Sequence, residues 1–528
     1  MEQQQHEREA GDTPPVRLPV STRAARWLVL TAVFVCAACG LLYELALVAL
    51  GSYLLGDTIV QASVVLSVMV FAMGAGSLLS KRLTDRPAFW FAIIEGVLSL
   101  VGGMSVLVLY AAFAWYSLYQ PAMVAVSFTI GALIGAEIPL LMTLIQRIRR
   151  QEAASAAADL FAADYVGGLV GGLAFPFALL PLFGLLRGTL LIGAVNAVVG
   201  VLVVLWLFRG SLSRRGRVLP AVGLALVLAV LASAFLLSGK FEVSARQALY
   251  RDPVVHAQRS EYQEIVVTRK PDGSDTRLFL DGDLQFSSLD EYRYHEALVH
   301  PAMNGPHGEV LVLGGGDGLA LREILDYDDV EHVTLVELDP AVTRLARSMP
   351  ELTGLNGDSL DDDRVDVVHA DAFNWLRDNG DRFDVVLADM PDPDSVSTAK
   401  LYSTEFYTLA RNAVAEGGRM TVQAGSPYFA REAFWSVGQG LDDAGWERTP
   451  YNVDVPSFGN WGFFLAQPRG DAPEVALPDS HPRLRFLDER TLAAARVFPK
   501  DRRATETEAS SLLSPRILDY ERGAWQGY

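Results

Sequence analysis

The sequence predicts a multi-pass α-helical membrane domain followed by a small antiparallel β domain and a doubly wound α/β domain. Three observations carry this. Between Trp27 and Leu237, apolar runs long enough to cross a bilayer follow one another, broken by short turns that hold Arg and Lys. Residues 262–286 read as short strands joined by tight turns. From Val310 onward strand-like and helical segments alternate, beginning with VLVLGGGDG at 310–318, a buried strand running into a glycine turn. At 528 residues the chain exceeds a single core. We divide it into a tail (1–26), a membrane domain (27–240), a connector with a small β-sheet (241–302), a doubly wound domain (303–470) and a C-terminal tail with one helix (471–528).

The first 26 residues are polar and contain proline, with Arg17, Arg23 and Arg26 before the first apolar run, and they read as a disordered cytoplasmic tail. That run is longer than a signal-peptide core and ends without a small-residue cleavage site, so it reads as a span. We place about seven spans, near 27–50, 58–80, 88–114, 121–145, 160–183, 189–208 and 218–238. Three groups mark cytoplasmic loops: Lys81, Arg82 and Arg86; Arg147, Arg149 and Arg150; and Arg209, Arg214, Arg215 and Arg217. An odd number of spans starting inside delivers the next domain to the outer face, unless one segment is re-entrant. The Gly/Pro-rich segment Tyr165 to Gly184 is the weakest candidate for a simple helix.

Four carboxylates, Glu44, Glu95, Glu137 and Asp164, lie inside these runs, where ionisable groups are costly. They read either as groups that bind or conduct a cationic amine or as partners of polar side chains on neighbouring helices. Cys36 and Cys39 form a CxxC with no second pair or His cluster, and read as small packing residues rather than a metal or redox pair. The net charge of −18, with no basic stripe after residue 240, excludes a nucleic-acid partner and suits a cationic ligand.

After a short amphipathic connector, Tyr262 to Arg269, Arg277 to Leu280 and Leu284 to Phe286 are strand-like, with turns at Pro271-Asp272-Gly273 and Asp281-Gly282. Asp290 to Val299 reads as a helix with an acidic first turn. The parallel strands are expected at Val310–Leu313, His332–Val336, Val365–His369, Phe383–Ala388 and Arg419–Gln423. Two further strands are expected within 446–467, and a helix near Asp488 to Val497.

Gly314, Gly316 and Gly318 make a GxGxG turn through which backbone approaches a ligand closely. Glu337 ends the next strand, where an acid accepts from ribose hydroxyls. Asp371 ends the third strand, placed to accept from an exocyclic adenine amine, and Asp389 ends the fourth, with Asp392 three residues on. Each acid alone reads equally well as a helix cap or a solvated turn; four in register point to one ligand edge. Lysine and GKS or GKT are absent from the glycine loop, and Asp317 sits inside it, so the loop repels phosphate and attracts a cation. That combination favours a sulfonium nucleoside carrying an amine. His295 and His300 flank Glu296, but HExxH needs its second His where Val299 stands, so no metal site is read there.

From Tyr262 to about Gln467 the chain resembles the spermidine synthases, the polyamine aminopropyltransferases, and with its span-rich first half it looks like their membrane-fused bacterial members. The matching motifs are YQEI at 262–265, LDGDLQ at 280–285, DEYRYHE at 290–296, GGGDG at 314–318, VELD at 336–339, DA at 371–372 and DMPDP at 389–393, with FPKD at 498–501 in the tail. The resemblance implies a Rossmann-like, methyltransferase-type doubly wound domain and a multi-pass cell-membrane protein in the lipid bilayer. It also implies a homodimer or homotetramer assembled through the small sheet. The implied reaction is aminopropyl transfer from decarboxylated S-adenosylmethionine to putrescine, giving spermidine and methylthioadenosine, without a cofactor. Gln263 would contact the nucleoside, Glu337 its ribose, and Asp371 and Ala372 the adenine. Asp317 would hold the aminopropyl ammonium and repel the carboxyl group of ordinary S-adenosylmethionine. Tyr294, His295 and Gln285 would line the amine channel, Asp392 would bind the acceptor, and Asp389 would take its proton.

Two departures leave the acceptor open. After DMPDP the chain continues Asp394-Ser395-Val396-Ser397-Thr398-Ala399 instead of a Gly-Pro-Ala-like turn, and Phe458 and Trp461 stand where soluble members tend to place a Tyr. Transfer to another amine, methyl transfer, which Asp317 disfavours, and a polyamine transporter or sensor without turnover are the competing readings.

Overall fold

The computed structural model describes residues 19–55, 58–149, 153–210 and 213–524. Most of the tail expected over 1–26, Arg17 included, lies outside these residues, as does Arg150. The chain forms two compact units, Met1–Arg251 and Asp252–Tyr528.

The first unit is helical: α1 (Thr22–Leu55), α2 (Thr58–Ser80), α3 (Pro87–Tyr116), α4 (Tyr119–Arg149), α5 (Ala153–Ala174), α6 (Leu180–Val201) and α7 (Arg214–Leu249). Among the described residues, six candidate spans are long and apolar enough to cross a membrane by length and composition. One of them, Ala157–Leu207, runs for 51 residues and is two helical stretches joined across Gly184, corresponding to the fifth and sixth spans expected from the sequence. Wide π turns at Phe175–Leu179 and Leu202–Leu207 and a left-handed Gly184 (φ 68°) interrupt it. Tyr165–Gly184 is therefore not a simple helix. Small residues set the helix packing: a Cβ at Gly135 of α4 would lie 2.0 Å from the Met73 carbonyl of α2, and one at Gly167 of α5 would lie 2.2 Å from that of Phe34 in α1. Cys39 packs near the Ile192 carbonyl, whereas Cys36 donates its thiol to Glu95 (3.0 Å) instead of merely packing.

The second unit opens with a four-stranded antiparallel sheet: β1 (Val254–Arg259), β2 (Glu264–Arg269), β3 (Thr276–Leu280) and β4 (Asp283–Ser287). The connector thus contributes a strand, β1, that the sequence does not announce, because its side chains are half-buried or exposed with no regular alternation. Helix α8 (Glu291–Val299) follows. The doubly wound part then runs β5 (Glu309–Gly314), α9 (Leu319–Leu325), β6 (His332–Glu337), α10 (Pro340–Ser348), α11 (Pro350–Asn356), β7 (Val365–His369), α12 (Ala372–Asp378), β8 (Phe383–Asp389), α13 (Val396–Ala399), α14 (Thr404–Ala413), β9 (Val414–Gln423), α15 (Arg431–Asp443), β10 (Glu447–Val455) and β11 (Gly459–Gln467). The strand order is β10-β11-β9-β8-β5-β6-β7, with β11 antiparallel to β9 and β10 antiparallel to β11.

Val310 to Leu313 are fully buried, and their alternation feeds two cores. Leu311 and Leu313 face Phe406 and Phe434 on one side of the sheet; Val310 and Val312 face Leu298, Ala320 and Ile324 on the other. The tail wraps this body. Glu296 accepts the backbone N–H groups of Arg485, Phe486 and Leu487 at 2.8–3.0 Å, which fixes the approach to α16 (Glu489–Ala495). A second tail helix, α17 (Arg516–Ala524), adds to the single one expected and buries Ile517 and Leu518 in the Phe434 core.

Candidate active site

The connections after β5 and β8 run in opposite directions, so the sheet order reverses between these two strands, the place where doubly wound sheets take their ligands at the carboxyl ends. Gly314 is in register with Asp389, which brings the glycine loop and the acid ending β8 side by side. The loop then turns through Gly318 (φ 82°) into α9. Asp317 accepts the Leu319 N–H at 2.9 Å, and Asn356 donates to the Asp317 carbonyl at 2.9 Å, so the acid is held in place. Burial pushes its carboxyl up despite the nearby His295.

Glu337 ends β6 and accepts the N–H groups of Gly316 (3.2 Å) and Asp339 (2.8 Å); burial raises its carboxyl to about 7. Gly316 leaves no room for a side chain, since a Cβ would stand 2.6 Å from Glu337 Oε2. Gly316→Ala is expected to cost about 1–3 kcal/mol of stability by overpacking. Urea denaturation of the full-length chain checks this. The double variant Gly316→Ala/Glu337→Ala should cost less than the sum of the two single costs, because the second change removes the clash.

Asp389 is half-buried and accepts the Tyr294 hydroxyl at 2.5 Å. Burial raises its carboxyl to about 6, against the opposing pull of His295 and the Tyr294 hydrogen bond. Tyr294 lies on α8, with rings of Phe458 (6.0 Å) and Phe463 (5.3 Å) against it and Trp461 beyond Phe458 (5.1 Å). Phe458 and Trp461, the departures noted in the sequence, thus extend an aromatic wall from Tyr294, the partner of Asp389. His295 turns to Glu291, with Nδ1 3.0 Å from Oε2, and Arg322 grips the same carboxylate at 2.9 and 3.1 Å. Burial pushes Glu291 up, but His295 and Arg322 more than offset it and hold the carboxyl at about 2. His300 faces Tyr327 and Glu323, away from His295.

Asp392 is reached by solvent yet ringed by protein; that desolvation, with Asp283 and Asp394 nearby, pushes its carboxyl up. Gln423, at the end of β9, lies 3.4 Å from it and donates to the Met390 carbonyl and to Tyr402 Oη, both at 2.5 Å. Asp371 caps α12 through the Asn374 N–H (3.0 Å) and pairs with Lys400 at 2.6 Å, while Ala372 begins that helix in the core. Gln263 donates to Asp339 (3.1 Å) beside Glu337. Gln285 makes a local bond to the Asp283 carbonyl (3.2 Å) and is not drawn into the cluster. The departing loop is orderly: Ser395 and Thr398 cap each other at the start of α13, whose end presents Lys400 to Asp371.

The sequence reading missed Gln423, Lys400 and the Glu291–Arg322 pair. Gln423 had a signal, since it ends a parallel strand at the edge shared by Glu337 and Asp389. Lys400 and Arg322 had none, because their partners are 29 and 31 positions away.

The arrangement is a cluster of carboxylates at one edge of the sheet, with one of them, Asp389, oriented by a phenol and able to take a proton. The spermine/spermidine synthase domain family matches residues 291–477. Over 510 residues the chain is 58% identical to polyamine aminopropyltransferase 1 of Streptomyces coelicolor, covering 96% of each chain. It is 47% identical over 513 residues to the polyamine aminopropyltransferase of Mycobacterium tuberculosis, covering 95% of this chain and 97% of that one. A crystal structure of spermidine synthase in complex with the transition state analogue AdoDATO is 27% identical, with a TM-score of 0.43, over 47% of this chain and 85% of that one.

Proposed function

The chain belongs to the polyamine aminopropyltransferases, and from that premise we propose that it transfers the aminopropyl group of decarboxylated S-adenosylmethionine to putrescine, with Asp389 as general base. The observation that carries this reading is the Tyr294–Asp389 hydrogen bond beside the glycine loop. It occupies Asp389 Oδ1 and leaves Oδ2 to meet the acceptor amine.

The nucleoside lies along the loop from Gly314 to Gly318, its ribose on Glu337, its adenine at Asp371 and Ala372, with Gln263 closing the side. Asp317 takes the donor ammonium. Asp392, with Tyr294, His295 and the Phe458–Trp461 wall, takes the acceptor, one charged end of which it anchors. In the reaction the amine nitrogen bonds to the carbon next to sulfur. The C–S electron pair leaves on sulfur as neutral methylthioadenosine, and the nitrogen's surplus proton passes to Asp389. The sulfonium is already a good leaving group, so the chain's contribution is alignment and proton removal. A base near 6 is better matched to this than an ordinary carboxylate.

We place the helices of the first unit in the cell membrane. Large apolar side chains on their outer faces support this, among them Phe71, Tyr165, Phe177 and Leu236, each more than 70% exposed. We expect a homodimer or homotetramer joined through the small sheet.

The test is methylthioadenosine release by purified full-length protein given decarboxylated S-adenosylmethionine and a panel of amines, across a pH series. Release should require an amine, with putrescine preferred. Because Asp389 acts deprotonated and its carboxyl is raised, kcat should fall tenfold per pH unit below about 6 and level off above it. Release without an amine, or a rate flat down to pH 4, overturns the reading.

A further inference from the structure

The sequence separates Cys36, Glu95 and Glu137 onto three helices, α1, α3 and α4, and the fold brings them together. The Cys36 sulfur and one carboxylate oxygen each from Glu95 and Glu137 lie within 4.8 Å of one another, and all three residues are buried (4%, 0% and 3% exposed). Asn196 of α6, itself fully buried, donates to Glu95 Oε2 at 2.6 Å. Glu44 and Asp164 fall outside this group.

Two acceptors in the cluster lack a donor. Neither Glu137 Oε1 nor Asn196 Oδ1 has a hydrogen-bond partner, although both residues are more than nine-tenths buried. Among the described residues neither carboxylate makes an ion pair. Unpartnered acceptors beside two acids in an apolar interior are expensive, and a bound cation supplies the missing partner.

We propose that Cys36, Glu95 and Glu137, with the Asn196 amide oxygen, form a binding site for one zinc-class divalent cation inside the helical unit. The donor set selects the ion. A sulfur ligand disfavours magnesium and calcium, whereas zinc accepts sulfur and carboxylate oxygen together in four-coordinate sites. Tetrahedral ligands about 2.0–2.3 Å from such an ion stand roughly 3.3–3.7 Å apart, within the spread already present. Coordination forms metal–sulfur and metal–oxygen bonds and releases the thiol proton and any proton held between the carboxyls to solvent.

Full-length protein in detergent micelles, stripped with EDTA, is titrated with Zn2+ and separately with Co2+. The expected results are about one metal bound per chain and, with Co2+, a thiolate-to-cobalt charge-transfer band. The chain has two cysteines, so the band reports on them alone. Cys36→Ser should abolish the band and Cys39→Ser should retain it. Glu137→Gln, which keeps shape and loses charge, should weaken Zn2+ binding by at least tenfold. Wild-type protein that binds less than a tenth of an equivalent, or a band that survives Cys36→Ser, overturns the proposal. Should Cys36→Ser fail to fold, unchanged Zn2+ affinity in Glu137→Gln overturns it as well. None of these readouts depends on aminopropyl transfer.

Discussion

Asp389→Asn should lower kcat by about 10²–10⁴-fold, the range that a positioned general base contributes, while methylthioadenosine binding stays close to the wild-type value. The variant keeps the size of the side chain and an oxygen for the Tyr294 hydroxyl, so the α8–β8 contact survives. What it loses is a site for the proton. Single-turnover release of methylthioadenosine, paired with calorimetric titration of the product, separates the two effects. Turnover within threefold of wild type removes Asp389 from the role of base. A parallel loss of product binding points instead to a collapsed site.

Asp317→Asn should act on the donor. A hydrogen bond to a charged group is worth ~1.5–3 kcal/mol, so KM for decarboxylated S-adenosylmethionine should rise about 10–100-fold, with a smaller change in kcat. Asn still accepts from the Leu319 N–H, which preserves the loop. The same change removes a negative charge that repels a carboxyl group, so inhibition by ordinary S-adenosylmethionine should strengthen relative to wild type. Competition between the two nucleosides measures this directly. If the KM ratio and the inhibition pattern stay unchanged, the ammonium is held elsewhere.

Much of the site was legible because the ends of parallel strands are legible. An apolar run that stops at a glycine or an acid marks where a strand reaches the ligand edge, and that rule found Gly314, Glu337 and Asp389 at their observed positions. It also reached Asp371, which in the structure is both a helix cap and the partner of Lys400. The rule is silent about side chains that arrive from elsewhere. Tyr294 needed the family resemblance to be noticed, and Gln285, taken from the same motifs, makes only a local contact.

The helical unit shows the same division. Hydropathy alone marks the candidate spans, because crossing an apolar layer would demand long apolar runs. It does not show how the fifth and sixth are joined, since that depends on Gly184 adopting a left-handed conformation at the break between them. Nor does it pair Cys36 with Glu95, 59 positions away. Periodicity and composition mark most of the strands, helices and candidate spans, β1 and α17 excepted, because those choices are settled largely by residues a few positions apart. Tyr294 against Asp389, Lys400 against Asp371, and Cys36 with Glu95 and Glu137 were decided by folding, because such contacts depend on where whole elements pack, and no local pattern encodes that.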